Sequence, residues 1–506
     1  MIGTTIAAIS SAIGEGGIGV VRMSGEDSKE ILAKIFEPAD KGWIAGHTPL
    51  GHLARNDNDL EPRKMKYGHI VSSSPAETVD EVLIVYMKKP HSYTGEDVVE
   101  IQCHGSVVSL RKILSLCYEN GAVPAAPGEF TKRAFLNGRL DLVQAGAVSD
   151  MIRAKTDRSY AVAKDQFEGR LSTAVSSIRE DLLGILAESI ARIDYPEAFT
   201  GEEQDSANNR KFLDELLLVS SRIEGLFASA RTGRMVRDGL RIALIGKPNS
   251  GKSSFINAIS GEQAAIVTAE PGTTRDAIEV YLSVDGLPVI MTDTAGIREA
   301  EGEIERIGID RSLSSYGKAD MAFFIIDGSV PLSLEDRNIA GLLDEGKPLV
   351  VLVNKSDLAQ KVSDEEVAAL LSGYSPPMEG LTVWAQHEVP RSGRGGLIGG
   401  NSKILHISAM SGEGLGAVTS IISDFIYGGK VSSDDSIIVT NERHKYLLEA
   451  ALSEVSMAAA VLSSGDAAEF AEVNIREAYD RLGEIVGETV TDDILDRVFA
   501  DFCIGK

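Results

Sequence analysis

The chain carries a phosphate-cradle sequence, Gly246-Lys-Pro-Asn-Ser-Gly251-Lys252-Ser253, between an apolar run, Arg241 to Ile245, and a helix-forming run, Ser254 to Ile259. In such a strand, loop and helix setting the glycines let backbone N–H groups wrap phosphate oxygens. Lys252 neutralises their charge, and the Ser253 hydroxyl is placed to hold Mg²⁺. Some forty positions on, Asp293-Thr294-Ala295-Gly296 ends the run Val289 to Thr292. There Asp293 can reach the Mg²⁺ shell and the Gly296 N–H the γ-phosphate. Between these motifs, Gly272-Thr273-Thr274-Arg275-Asp276 offers Thr274 as the second protein ligand of Mg²⁺. Asn354-Lys355-Ser356-Asp357 closes the apolar run Leu349 to Val353, placing a carboxylate where it can accept from both N1–H and the N2 amine of guanine. Adenine presents the opposite pattern. Ser408-Ala409, after a last apolar run, supplies a backbone contact to the guanine O6. Motifs of these kinds, ordered along one chain, predict a GTPase.

Small GTPases place a water-orienting Gln directly after the Asp-x-x-Gly motif. This chain has Ile297 there, and isoleucine cannot orient water. An acidic segment with Glu299, Glu301, Glu303 and Glu305 lies just downstream, and chemistry alone does not choose among the four. His104 reads as a packing or hydrogen-bonding residue, because no other His or Cys stands at metal-ligand spacing.

These groups need elements to hold them. Residues 1–139 alternate short β-rich runs (Ile18 to Met23, Lys66 to Val71, Val82 to Met87, Val98 to Cys103) with helices over Glu26 to Phe36, stopped by Pro38, and Ser106 to Asn120. From Leu140 the pattern turns helical, with Asp150 to Ile193 and Ser206 to Val236 almost free of Gly and Pro. After Leu240 it becomes strand, turn and helix units, the signature of a doubly wound, mostly parallel sheet. A Gly-, Pro- and Ser-rich stretch between Gly373 and Gly400 is too polar to pack and reads as a surface insertion. Residues 440–502 return to helical periodicity and are expected to dock on the earlier helices, making the sheet domain an insertion in a helical one.

With 506 residues, 43% hydrophobic and 25% charged, the chain is globular and long enough for roughly three domains. Three scattered cysteines, Cys103, Cys117 and Cys503, exclude a disulfide framework and point to a reducing cytosol. The N-terminus lacks the charged front of a signal peptide, and no run reaches the ~18 consecutive apolar residues of a membrane span. A cytoplasmic protein with no membrane association is expected. Asp plus Glu number 75 against 50 Lys plus Arg, a net charge of −25 that excludes a basic clamp on nucleic acid. The acidic excess falls mostly on residues 240–430 and 431–506, while Arg153, Lys155, Arg158 and Lys164 form a local basic run that reads as a solvated helix face.

With these motifs in hand, the sequence resembles the MnmE (TrmE) family of tRNA wobble-uridine modification GTPases. The resemblance spans the chain: Gly16-Gly-Ile-Gly19 leading to Arg22, Tyr93-Thr-Gly-Glu-Asp97, Pro127-Gly-Glu-Phe130, Arg133-Ala-Phe-Leu-Asn137, Gly272-Thr-Thr-Arg-Asp276 and the terminal Cys503-Ile-Gly-Lys506. It implies a multidomain α/β plus all-α fold. A folate-binding-like α+β domain, residues 1–139, also dimerises the protein. A helical domain takes residues 140–239 and 431–506, and a Ras-like doubly wound P-loop G domain, residues 240–430 with its insertion near 373–400, sits within it.

The implied function is a potassium-activated GTPase. With an FAD-dependent MnmG-like partner, in a heterotetramer, it adds a carboxymethylaminomethyl or aminomethyl group at C5 of the wobble uridine of certain tRNAs. The one-carbon unit comes from a tetrahydrofolate derivative (5-formyl- or 5,10-methylene-), FAD sits on the partner only, and GTP hydrolysis drives opening and closing. The implied folate ligands are Arg22, Glu100, Arg139 and Lys506, with cationic groups suited to the glutamate tail and a carboxylate to the pterin edge. Glu305 matches the glutamate that positions the attacking water, and Asn249, Thr268, Glu270 and Thr273 supply oxygens for K⁺. The full nucleotide set is Asn249, Ser250, Gly251, Lys252, Ser253, Ser254, Thr268, Ala269, Glu270, Pro271, Gly272, Thr273, Thr274, Asp293, Thr294, Ala295, Gly296, Asn354, Lys355, Asp357, Ser408 and Ala409. Pro271 and the insertion depart from the family pattern. Cys503 is weighed evenly between a nucleophile in the modification and a structural thiol packed near the folate. With two acidic regions, tRNA contact is expected on the N-terminal half or on the partner. The competing class is a switch or assembly GTPase that takes no part in modification, and it would have no use for Arg22, Glu100 and Lys506.

Overall fold

The structure, a computed structural model, describes residues 3–39, 60–73, 76–194, 202–262, 278–293, 316–343, 347–371, 397–398, 402–427, 436–464, 468–500 and 502–506. The chain forms two compact units. The first takes Met1–Ser149, Gln166–Arg179 and Tyr479–Lys506; the second takes Asp150–Asp165 and Glu180–Ala478.

In the first unit, among the described residues, seven strands form one sheet: β1 (Ile6–Ile9), β2 (Gly16–Ser24), β3 (Phe36–Pro38), β4 (Met65–Ser73), β5 (Ala76–Met87), β6 (Val98–Gly105) and β7 (Val123–Pro124). Their order is β3-β4-β5-β6-β2-β1-β7, antiparallel except for the β1/β7 pair. Side chains alternate across the strands. Val21 and Met23 of β2, with Val99, Ile101 and Cys103 of β6, enter a core closed by Ile31, Leu32 and Ile35 of the helix Ser28–Ile35 and by Leu110, Ile113 and Cys117 of the helix Val107–Glu119. The same alternation turns Arg22 and Glu100 to the opposite face, where the register sets them directly across from each other. The first helix is shorter than its sequence pattern predicts. Phe36–Pro38 leaves it to pair with β4 as an edge strand, because a residue before proline avoids helical geometry and proline lacks a ladder N–H.

The second unit holds a seven-stranded sheet among its described residues: β8 (Leu240–Ile245), β9 (Ile278–Val284), β10 (Leu287–Asp293), β11 (Met321–Asp327), β12 (Leu349–Asn354), β13 (Leu397–Ile398) and β14 (Ser402–His406), in the order β13-β14-β12-β11-β8-β10-β9. Its centre is parallel, and only the β9/β10 hairpin, turned at Asp285-Gly286, and the β13/β14 pair run antiparallel. All residues of β11 and β12 are buried, as expected for strands covered on both faces. Leu244, Phe323 and Leu352 pack with Phe255 and Ile259 on one side; Phe324, Ile326, Val351 and Val353 pack with Val362 and Val367 on the other. Most of the polar 373–400 stretch lies outside the described residues, although its Leu397–Ile398 does pair at the sheet edge.

The long helical run breaks where its sequence pattern is continuous. Leu142–Arg153, Asp157–Phe167 and Arg170–Asp194 are separate helices. At the first break, Thr156 and Ser159 exchange side-chain and backbone hydrogen bonds, the local competition that makes such residues helix starters. The helix Glu442–Ser464 packs along Glu202–Asp238, and Ser229 Oγ accepts from the Val439 N–H at 3.0 Å. In the first unit, buried Arg179 binds Glu488 at 2.7 Å and stacks on Tyr479. Among the described residues, Glu442–Ser464 is the one helix long and apolar enough to cross a membrane. Its buried His444, Leu447, Leu448, Ala451, Val455, Ala458 and Leu462 recur at the spacing of a single helix face, the one that packs on the protein.

Candidate functional site

β8 ends in the loop Gly246–Gly251, and the helix Lys252–Glu262 opens directly from it. Asn249 is left-handed at φ 62°. Gly251, at φ 100°, abuts Asn354 so closely that an added Cβ would lie 2.0 Å from Asn354 Nδ2. Lys252 is buried, and its Nζ donates to the Gly246 and Lys247 carbonyls at 2.7 and 2.8 Å. Ser250 is fully buried, with no hydrogen-bond partner for its Oγ among the described residues. Ser253 and Ser254 are exposed in the first turn of the helix, at the end of it that favours anions. Asp293 ends β10, its backbone registered against Leu244 of β8.

Asn354 joins three loops. Its Nδ2 donates to the Ser250 carbonyl at 2.9 Å, its Oδ1 accepts from the Ala409 N–H at 3.1 Å, and its own carbonyl accepts from Gly328. Ser408, fully buried, donates from Oγ to Asp357 Oδ1 at 2.6 Å, fixing that carboxylate beside Ala409. Lys355, left-handed at φ 66°, extends its Nζ to Asp327 Oδ2 at 2.6 Å. The motif residues around Gly251, Asn354, Asp357 and Ser408 therefore meet at the C-terminal edge of the sheet, where open α/β sheets bind their ligands. Thr268, Ala269, Glu270, Pro271, Gly272, Thr273, Thr274, Thr294, Ala295, Gly296, Ile297 and Glu305 lie outside the described residues.

The first unit gathers a second set. Arg22 Nε and Nη2 both reach Glu100 Oε1, at 2.8 and 2.7 Å. The Arg22 guanidinium lies 5.5 Å from the Tyr93 ring centroid and 5.7 Å from that of Phe130. Arg139 stacks on Tyr93 at 4.9 Å and donates to its carbonyl at 3.0 Å. The chain end closes on this cluster: the Gly505 carbonyl accepts from Ser10 Oγ at 2.9 Å and Arg22 Nη1 at 3.4 Å. Gly505 has φ 92°, and a Cβ there would lie 2.2 Å from the Ile9 carbonyl oxygen. Lys506 is half-buried, its N–H bound to the Cys503 carbonyl at 3.3 Å. Beneath them, buried Arg133 ties Glu96, Glu129 and the Thr4 carbonyl together.

Cys503 is exposed. Cys103 and Cys117 are buried, and burial pushes their thiols up to about 11 and about 12. His104 hydrogen-bonds Asp80 at 2.6 Å. Among the described residues no three His, Cys, Asp or Glu side chains cluster as a metal site. The basic run spans two helices, Arg153 ending Leu142–Arg153 and Arg158 and Lys164 lying on Asp157–Phe167; Arg153, Lys155 and Lys164 are exposed to solvent, with Lys155 3.5 Å from the Tyr281 ring centroid. Sequence reasoning passed over Lys247, Asp327 and Asp336. For Asp336 the Ser333-x-x-Asp336 capping box was a usable signal; for Lys247 there was none.

The family model described as the GTP-binding protein TrmE N-terminus matches residues 5–139, and that of the MnmE helical domain matches residues 142–503. Proteins described as tRNA modification GTPase MnmE are 40% identical in Alkaliphilus metalliredigens and 41% identical in Finegoldia magna, each over 502 residues and 99% of both chains. Among solved structures, the G domain of the T. maritima FeoB iron transporter covers 37% of this chain and 98% of its own at 22% identity. Its TM-score of 0.25 is too low to carry weight.

Proposed function

Because the chain belongs to the MnmE family of tRNA modification GTPases, as a GTP hydrolase that binds GTP with Mg²⁺, we propose that it modifies the wobble uridine at C5. The added group is carboxymethylaminomethyl or aminomethyl, and the carbon comes from a tetrahydrofolate bound in the first unit. One observation carries the folate reading: the chain end closes over an Arg22–Glu100 pair walled by Tyr93, Phe130 and Arg139. Arg22 engages Oε1 of Glu100, and the aromatic walls suit a flat pterin. Arg139 and Lys506 would meet the anionic glutamate tail, with Cys503 exposed beside them. The proposed domain division is 1–139, 140–239, 240–430 and 431–506.

At the nucleotide site the loop N–H groups and Lys252 would hold the phosphates, and Asp357, oriented by Ser408, would accept from the guanine edge. The buried, unpartnered Ser250 Oγ and the close Gly251 backbone fit a phosphate cradle. Mg²⁺ would be held by Ser253 and Thr274, and K⁺ by Asn249, Thr268, Glu270 and Thr273. Bound there, these cations would add positive charge where the β–γ bridge becomes negative. Glu305 would orient the attacking water. A homodimer formed through residues 1–139, an FAD-dependent MnmG-like partner and a cytoplasmic location complete the proposal.

The test is mass spectrometry of tRNA nucleosides from a deletion strain complemented with the native chain or with Arg22→Ala. The native chain should restore the modified wobble uridines and the variant should not. Unaltered uridines in the deletion strain itself would sink the function.

A further inference from the structure

The phosphate loop and the base loop are tied to one short segment that none of the nucleotide motifs includes. Lys247, the second residue of the cradle, turns its Nζ away to Asp336 Oδ2 at 2.7 Å. Asp336 is fully buried in the helix Leu334–Ala340, and its Oδ2 also accepts from Ser333 N and Oγ, at 2.8 and 2.7 Å. Nine positions earlier, Asp327 at the end of β11 holds Lys355 of the base loop and accepts at Oδ1 from Ser329 N and Oγ, at 3.0 and 2.6 Å. Gly328 adds two backbone ties, donating to the Asn354 carbonyl and accepting from the Lys361 N–H.

We propose that residues 327–336 form a bracket that sets how long guanine nucleotide is retained, with Asp336 and Asp327 as positioning residues acting through Lys247 and Lys355. The Lys247 carbonyl is one of the two that receive Lys252 Nζ, and it also accepts from the Ser250 N–H at 3.3 Å. Fixing the Lys247 side chain therefore fixes the peptide that seats the phosphate-binding lysine. A buried ion pair is costly to desolvate and adds little net stability compared with an apolar pair of the same shape, so its return lies in geometry. Burial is the largest influence on Asp336 and pushes its carboxyl up. The Lys247 and Ser333 bonds together outweigh it and hold the group below the usual range, ionised at neutral pH. Asp327 follows the same balance with Lys355 and Ser329.

The experiment measures release of a fluorescent GDP analogue from the full chain by stopped flow. Asp336→Asn keeps an acceptor for the Ser333 N–H and thus the helix start, while removing the charge. Asp336→Asn and Lys247→Met should each speed release roughly tenfold, as for loss of one charge-assisted hydrogen bond. The double variant should be no faster than the faster single one, and Lys247→Arg should restore slow release. The KM for GTP should rise in Asp336→Asn by a larger factor than kcat falls, a split that a general loss of folding would not give. Asp327→Asn should speed release through the base loop. Release within about twofold of the native rate in both Asp336→Asn and Lys247→Met would overturn the proposal. Multiplicative effects in the double variant would also overturn it, since Lys247 would then act on the phosphates directly.

Discussion

Replacing Asn354 by Ala tests the idea that one buried amide joins the phosphate loop to the base loop. Asn354 is 2% exposed, and its truncation orphans two backbone groups at once, the Ser250 carbonyl and the Ala409 N–H. Each buried group left unsatisfied costs about 1–3 kcal/mol, or about 2–6 kcal/mol for the two. The bond to the Ser250 carbonyl is buried and the one to the Ala409 N–H part-buried, so a loss of about 3 kcal/mol, inside that range, is expected. If the loss is expressed in binding, GDP affinity falls about a hundredfold. Equilibrium titration with a fluorescent GDP analogue is the suitable assay, because a chain of several domains has no single unfolding free energy. A native-like dissociation constant in a folded Asn354→Ala protein would refute the reasoning, since the two loops would then hold their positions without the amide.

Glu305→Ala should lower GTP turnover by roughly 10²-fold or more while leaving GTP binding intact, and Na⁺ in place of K⁺ should slow the native enzyme. An active Glu305→Ala chain would move the water-positioning role elsewhere. The Asp80 hydrogen bond and charge raise the His104 pKa above its ordinary value, while Asp80, where burial opposes its bonds to Ser109, His104 and the backbone, is held below its own. The stabilisation from His104 is thus complete below the unfolded histidine pKa and disappears as pH rises through the higher folded one. An NMR titration of the His104 ring should show the upward shift and its collapse in Asp80→Asn. Gly505→Ala places a Cβ against the Ile9 carbonyl and should lift the chain end off β1. Carboxypeptidase should trim this variant faster than the native chain, and equal trimming would show that the end is held some other way.

Much of the candidate nucleotide site was legible because its chemistry is local. A phosphate cradle needs consecutive backbone N–H groups, so Gly246 to Ser253 must be contiguous, and a short loop after an apolar strand is visible in one dimension. The parallel sheet was legible for a similar reason, since β11 and β12 are unbroken apolar runs. The edge strands were not: β3 and β13 are only three and two residues long, and their pairing depends on which neighbours arrive beside them. The breaks in the long helical run were hidden too, because helix propensity hardly registers the local side-chain bonds of Thr156 and Ser159.

By itself, the sequence determined the reaction class, the base and the family, each written in short motifs whose members are neighbours in the chain. Only the tertiary structure decided what lies far apart in sequence and close in space. Arg22 meets Glu100 through strand register, and the last residues fold back onto β1, 495 positions from Ser10 to Gly505. Lys247 turns from the phosphates to a buried carboxylate 89 positions away. The reason is physical: hydrogen bonds and ion pairs act over a few ångströms, and which distant residues come that close is set by packing and register, not by local pattern.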